Sequence, residues 1–504
     1  MQTFPKYTQF RQGYDAGLAQ VIWTKLVADL ETPVSAMLKM VRGEPNSFLL
    51  ESVEGGAIRG RYSILGMRPD LVWRCDGDKA EINRNVSSNA DAFLQCPLAE
   101  KNGTMASLRG VLSESRIDLP DHLPPMAAGL VGYMSYDMVR LIEKLPDDNP
   151  DSIGVPDSIF LRPTIMAIFD SLEDTMTLVT PIWPGNALPK QAYQSAIQRL
   201  DSAINNLETP LVALHPVRTS LRSNKEQLKS NVTRDDFYSM VARAKDYIHA
   251  GDVFQVVPSQ RFNLPFKLPP FTFYRSLRRL NPSPFLFYMD FNGFQIVGSS
   301  PEILVRVRDG RITLRPLAGT RKRGQTADED AALAEDLLAD PKERAEHLML
   351  LDLGRNDVGR VAKVGSVKPT EQFAVEYYSH VMHIASNVEG DLDRMHFDEI
   401  DALMAGFPAG TVSGAPKVRA MEIIDELEPE RRGIYAGCIG YFGADGDMDT
   451  CIALRTAVIK EEVIYIQAGA GVVADSEPES EFEETVSKAM ALVRAAEEAS
   501  FFGE

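Results

Sequence analysis

Hydrophobic positions along the chain change period repeatedly, and each change marks an element. Val21–Leu26 reads as a strand, after which Pro33 opens a helix over Val34–Val41. Ser47–Ser52 and Arg61–Gly66 are short strands. Ala128–Asp137 is a glycine-punctuated apolar strand leading into a helix through Arg140 and Glu143. Ile159–Ile168 and Thr175–Thr180 flank an acidic turn and predict a hairpin, followed by a helix over Lys190–Leu207. From Glu208 to Asn231 the periodicity fades and polar residues accumulate. Thr233 and Asp236 then box the start of a helix carrying Phe237, Met240, Val241, Ala244 and Ile248, ended by Gly251. Strands follow at Val253–Val257, Pro284–Asp290, Phe294–Gly298, Ile303–Val307 and Ile312–Pro316. Helices are predicted over Ala327–Ala339 and Pro341–Leu353, and strands over His380–Val388, Ile434–Phe442, Thr450–Ile459 and Val463–Gln467. A last helix covers Ser480–Ala499. Consecutive strands on short turns predict an α+β fold of mostly antiparallel sheets with helices outside. The division expected is an N-terminal domain over 15–207, a connection over 208–231 and a C-terminal domain over 232–500.

Composition narrows the function. A chain of 504 residues exceeds one ordinary core. The net charge of −18 argues against nucleic acid and anionic membranes, so an anionic ligand needs a local positive site. No apolar run approaches membrane-spanning length, and no signal peptide is legible. The four cysteines, Cys75, Cys96, Cys438 and Cys451, have no metal spacing, which points to reduced thiols in a cytoplasmic protein.

The chemistry concentrates in two acidic helix starts. Asp340 can cap a helix with Pro341 at its first position, placing Glu343 and Glu346 on one face, with a break expected at Gly354. Far along the chain, Ile466–Gly471 ends a strand in Ala468-Gly469-Ala470-Gly471, where backbone N–H groups can turn toward an anion. Ser480 and Glu483 then read as a capping box, with Glu481, Glu484 and Lys488 in one stripe. Two carboxylate pairs on helices suit a hard divalent cation, magnesium above all, completed by an anionic substrate. Pro416 opens a further helix as an anion site, and Arg455 is a charge in an apolar strand that calls for an anionic partner.

The segments Pro316–Gly324 (PLAGTRKRG), Glu346–Asp357 (EHLMLLDLGRND), Gly410–Ile424 (GTVSGAPKVRAMEII), Asp449–Ala457 (DTCIALRTA) and Gln467–Thr485 (QAGAGVVADSEPESEFEET) carry a resemblance. From about residue 15 onward the chain resembles the chorismate-utilising enzymes, and most closely the large subunit of anthranilate synthase. That resemblance implies an α/β sandwich of two intimately associated domains. It also implies magnesium-dependent conversion of chorismate and ammonia to anthranilate and pyruvate, through 2-amino-2-deoxyisochorismate, as the first committed step of tryptophan biosynthesis. By motif position the magnesium carboxylates would be Glu343, Glu346, Glu481 and Glu484. Substrate contacts would be Gln255, Gly319, Thr320, Thr411, Tyr435, Arg455, Ala468, Gly469, Ala470, Gly471 and Lys488. Glu302 would be the acid near the departing hydroxyl, and His383 would serve the proton transfer that releases pyruvate.

Two positions discriminate within the resemblance. The 4-aminobenzoate synthases carry a nucleophilic lysine where Ala318 stands, and isochorismate synthases a water-activating lysine where Gln255 stands. Alanine cannot form the adduct and glutamine cannot act as base, which favours ammonia attack at C2. A 2-amino-2-deoxyisochorismate synthase, disfavoured by His383, and a 4-aminobenzoate synthase component I, disfavoured by Ala318, are the alternative enzymes, and a non-catalytic tryptophan-binding subunit is the alternative of another class. Leu50-Glu51-Ser52, Asn281-Pro282-Ser283-Pro284-Phe285-Leu286-Phe287 and Cys451 resemble the family's tryptophan-inhibition element, implying feedback inhibition by L-tryptophan. None of the cysteines sits in a glutaminase elbow, so a separate glutamine amidotransferase subunit is expected to supply ammonia.

Overall fold

The computed structural model describes residues 2–54, 58–211, 228–378 and 381–503; side chains of residues 53, 54, 58 and 59 are outside that description. His380 and most of the expected 208–231 connection lie outside the described residues.

Antiparallel pairing dominates, as the alternating pattern and short turns require. Strand Ile58–Asp76 pairs along much of its length with Ser158–Asp170, and the predicted hairpin closes Ser158–Asp170 onto Thr175–Ile182. Pairing also joins the two halves of the chain. Ser47–Glu54 runs antiparallel to Phe285–Asp290, with Leu49 opposite Tyr288, and Gly129–Met134 lies against Cys438–Gly443, with Gly132 opposite Gly440. A Cβ on Gly132 would stand 1.8 Å from the Ile159 carbonyl oxygen, and one on Gly440 2.2 Å from that of Asp449. The glycine punctuation is therefore what lets these strands lie against their neighbours where the halves join.

The core follows the same plan. Ile22, Leu49 and Leu178 pack in one cluster with Tyr274, Ile464 and Leu492, and Trp73, Leu130 and Phe160 pack in another with Leu304, Leu403 and Phe442. Each such side chain contributes about 1.5–3 kcal/mol of burial, so neither half retains a complete core alone. Among the described residues all four cysteines are buried and free, and no helix is long and apolar enough to cross a membrane.

Several boundaries differ from expectation. The helix from Pro341 runs through Gly354 to Gly359. An interior glycine costs only about 1 kcal/mol, and burial of Leu350, Leu351 and Val358 offsets it. The expected strand Thr450–Ile459 is two strands, Met448–Ile452 and Thr456–Lys460, broken at Arg455, whose φ of 47° lies in the left-handed region. The segment after Pro316, whose glycines and basic residues read as a loop, is instead the strand Leu317–Lys322. The last helix starts at Pro478 with Glu477 as an N-cap making no side-chain bond, so Ser480 is already inside it. Strand Lys368–Tyr377 was not predicted, because it lies at an edge, mostly exposed and with register shifts that erase the alternation.

Candidate active site

Asp340 accepts from the N–H groups of Lys342 (2.9 Å) and Glu343 (3.3 Å), which sets the first turn of the helix Pro341–Gly359 as expected. Its Glu346 and, from the helix Pro478–Glu498, Glu484 and Lys488 face a cavity of about 250 Å³. The β-sheet supplies the other walls. Gly319, with φ of 70°, forms a bulge opposite His383 and Ile384 and turns its carbonyl toward the His383 ring. Gln255, Glu302, Thr320, Thr411, Tyr435, Arg455, Ala468, Gly469 and Gly471 also line this cavity. Of the residues expected at the substrate, only Ala470 stays out; it is buried and its N–H donates to Pro258 O at 3.1 Å.

Glu302 is 6% exposed and accepts from Thr411 Oγ1 at 3.2 Å. Burial pushes its carboxyl up to about 8, against which the Thr411 and Leu317 hydrogen bonds act only partly. A carboxyl of this kind is protonated at neutral pH and can donate. His383 presents the opposite property. Its Nδ1 lies 2.9 Å from Gly319 O, so Nδ1–H donates there and Nε2 keeps its lone pair. Burial lowers its pKa, and nearby Arg455 lowers it further. The Tyr378 ring packs edge-on at 5.4 Å.

Arg455 was expected to have an anionic partner, and among the described residues no acidic side chain pairs with it. Burial lowers its pKa, and only the Tyr378 hydroxyl acts in the other sense. A half-buried guanidinium lining a cavity, with no acidic partner among the described residues, is suited to receive a carboxylate. Lys488 is less available, donating to Gly469 O at 2.8 Å and pairing with Glu484 at 2.7 Å. The glycine segment departs from expectation. Gly469 stands against the Tyr435 hydroxyl, and neither Gly469 nor Gly471 has a positive φ. Close approach explains these glycines: a Cβ on Gly469 would be 2.7 Å from Tyr435 Oη, and one on Gly471 2.8 Å from Gln255 Nε2. At the helix start after Pro416, Lys417 pairs with buried Asp357 at 2.9 Å, so its charge is already committed within the protein.

Glu343 and Glu481 stand outside the cavity lining. Glu343 meets Arg321 at 3.2 Å, and Glu346 accepts from Gln255 Nε2 at 3.0 Å. Among the described residues no three acidic, histidine or cysteine side chains already surround one point. The donor chemistry nonetheless fits a hard divalent cation. Burial raises the pKa of Glu346 and of Glu481, and the facing carboxylates add to both shifts, Glu343 and Glu484 at Glu346 and Glu484 at Glu481. A cation would relieve both terms, provided Glu484 exchanges its half-exposed lysine pair.

A second cavity, about 420 Å³, shares no lining residue with the first. Leu50, Glu51, Ser52, Pro284, Phe285, Leu286, Phe287 and Cys451 line it, brought together because Glu51 pairs with Leu286 across the halves. Asn281, Pro282 and Ser283 do not line it. Glu51 is committed to Arg278 (2.5 and 2.8 Å) and Tyr274 Oη (2.6 Å).

Sequence reasoning missed several walls of the first cavity: Val257, Leu350, Val412 and Leu454 are apolar, and Gln467 is polar. Apolar positions inside strands and helices give no separate signal, but Gln467 interrupts an apolar run and could have been singled out.

Comparison with known proteins agrees with this geometry. A family model described as chorismate binding enzyme matches residues 68–494. Anthranilate synthase component 1 of Cereibacter sphaeroides is 55% identical over 497 residues, spanning 98% of each chain. That of Pseudomonas putida is 46% identical over 472 residues, spanning 93% of each. Among solved structures, anthranilate synthase component I from Streptococcus pneumoniae TIGR4 superposes with a TM-score of 0.73 at 37% identity, covering 86% of this chain and 92% of that one. A menaquinone-specific isochorismate synthase from Escherichia coli shares the fold, with a TM-score of 0.70 at 20% identity over 95% and 94% of the two chains. The chain belongs to the chorismate-binding enzymes, in the anthranilate synthase component 1 branch.

Proposed function

We propose that the first cavity converts chorismate and ammonia to anthranilate and pyruvate with magnesium, that tryptophan inhibits it from the second cavity, and that a glutamine amidotransferase partner delivers the ammonia. The observation that carries the reading is Arg455, a half-buried cation with no acidic partner among the described residues, lining the same cavity as Glu302, whose carboxyl burial pushes up to about 8. Arg455 receives one substrate carboxylate. Protonated Glu302 donates to the C4 hydroxyl as it leaves while ammonia bonds C2, and Thr411 holds the Glu302 carboxyl in place. His383 Nε2 then takes the C2 proton. The C3–O bond breaks, the ring becomes aromatic, and enolpyruvate leaves to tautomerise to pyruvate. Glu343, Glu346, Glu481 and Glu484 would hold the magnesium, whose charge offsets that of the ring carboxylate when bound.

The test uses the purified chain with chorismate and magnesium. High ammonium at alkaline pH should yield anthranilate fluorescence, whereas glutamine alone should yield none. Silence with ammonium refutes the reaction, and turnover on glutamine alone refutes the need for a partner.

A further inference from the structure

Beneath the first cavity lies a buried ion pair that the reaction does not use. Arg432 is 2% exposed and does not line the cavity. Its Nε donates to both oxygens of Glu428 (3.2 and 3.0 Å), and Nη2 donates to Glu428 Oε1 at 2.6 Å. The remaining bonds go to backbone carbonyls: Nη2 to Val257 O at 2.6 Å and Nη1 to Val412 O at 2.7 Å. Val257 and Val412 are cavity walls, and Val412 directly follows Thr411, the residue bonded to Glu302. The guanidinium also lies between two rings, 4.8 Å from the centroid of Tyr136 and 5.5 Å from that of Tyr435, a third wall. Through Glu428 the lattice reaches a fourth. Glu428 Oε1 accepts from Ser259 N and Oγ, both at 2.8 Å, and Ser259 Oγ accepts from Gln467 Nε2 at 2.8 Å.

A buried ion pair is poor value as a source of stability, since apolar residues of equal volume often do as well or better. What it supplies is direction. A planar cation with several fixed donors specifies two carbonyl positions and one ring plane at once, which no apolar group can do. We propose that Arg432, held by Glu428, is the positioning residue of the substrate cavity, setting the separation of the Val257 and Val412 walls and the tilt of Tyr435. The proposal rests on the chorismate reading and adds a residue to it that never touches substrate.

Two variants test it, with kcat and KM for chorismate measured on ammonium beside circular dichroism and the thermal midpoint. Arg432→Lys keeps a positive charge facing Glu428 but cannot reach both carbonyls or present a plane; kcat/KM should fall about 10- to 100-fold in folded protein, because misplacements near 1 Å cost about that much. Ser259→Ala cuts only the branch to Gln467 and should raise KM about three- to tenfold, with kcat and the thermal midpoint near wild type. Folded variants with wild-type kcat and KM overturn the proposal, as does activity lost only in proportion to the unfolded fraction. If Arg432→Lys fails to fold, Ser259→Ala decides by the same criterion. A wild-type chain that leaves chorismate unchanged removes the functional reading and this proposal together, whereas an active wild type with unaffected variants removes this proposal alone.

Discussion

Glu302→Gln should abolish most turnover and stabilise the protein, and the two effects have one cause. The carboxyl moves from 4.5 to about 8 on folding because it is buried. Its folded pKa is raised, so its stability contribution is complete below 4.5 and is lost progressively as pH rises toward 8. At pH 7 the unfolded chain has released the proton and the folded chain has not, a deficit of about 3 kcal/mol at 1.36 kcal/mol per unit. Glutamine has the same shape and does not titrate. The variant should therefore exceed wild type by up to about 3 kcal/mol at pH 7, with the gap shrinking by about 1.4 kcal/mol per pH unit on acidification. Urea midpoints of both proteins between pH 5 and 8 measure this. Without its proton donor, the variant should lose about 10²- to 10⁴-fold in kcat with ammonium. Comparing the two proteins at each pH cancels the titration of ammonium itself, and the wild-type advantage should fade above about pH 8. Parallel stability curves would show that Glu302 is ionised in the folded protein, and undiminished turnover would remove it as the acid.

Arg455→Met should raise KM for chorismate by roughly two orders of magnitude without lowering the thermal midpoint, since the cation it removes has no acidic partner among the described residues. Glu346→Gln and Glu484→Gln should each raise the magnesium concentration for half-maximal activity about 10–100-fold, read from magnesium titrations after chelator treatment. Equal requirements in wild type and both variants would place the ion elsewhere. Ser52→Phe should raise the tryptophan concentration needed for half inhibition while sparing uninhibited turnover, because Ser52 lines the second cavity and not the first.

How much of this was legible depends on whether the signal was local. Asp340 at its cap, Thr233 with Asp236, and the hairpin closing on Thr175 are decided by neighbours in sequence, and they form as read. Gly354 was misread because the cost of one helical glycine is small against the burial of residues around it. The glycines near 469, read as turning N–H groups toward an anion, instead make room for the Tyr435 hydroxyl and the Gln255 side chain, which no local pattern shows. The site was legible as motifs, and the Lys488–Glu484 pair is the i, i+4 stripe read from the helix, whereas the commitment of Lys417 to Asp357 joins residues whose proximity no local pattern encodes. The Arg432 lattice was invisible for the same reason: apart from Glu428, four residues away, its partners lie at 136, 257 and 412.

The strand pairs that cross the two halves also impose a schedule during synthesis. Ser47–Glu54 waits for Phe285–Asp290, and Gly129–Met134 waits for Cys438–Gly443. At about 5–20 residues per second, the first leaves one edge of an apolar strand unpaired for roughly 10–50 s, and the second for roughly 15–60 s. An unpaired edge of that kind is a template for other chains. Yield in a heterologous host should therefore depend on translation speed and on chaperones that shield nascent strands, even when the finished enzyme is stable.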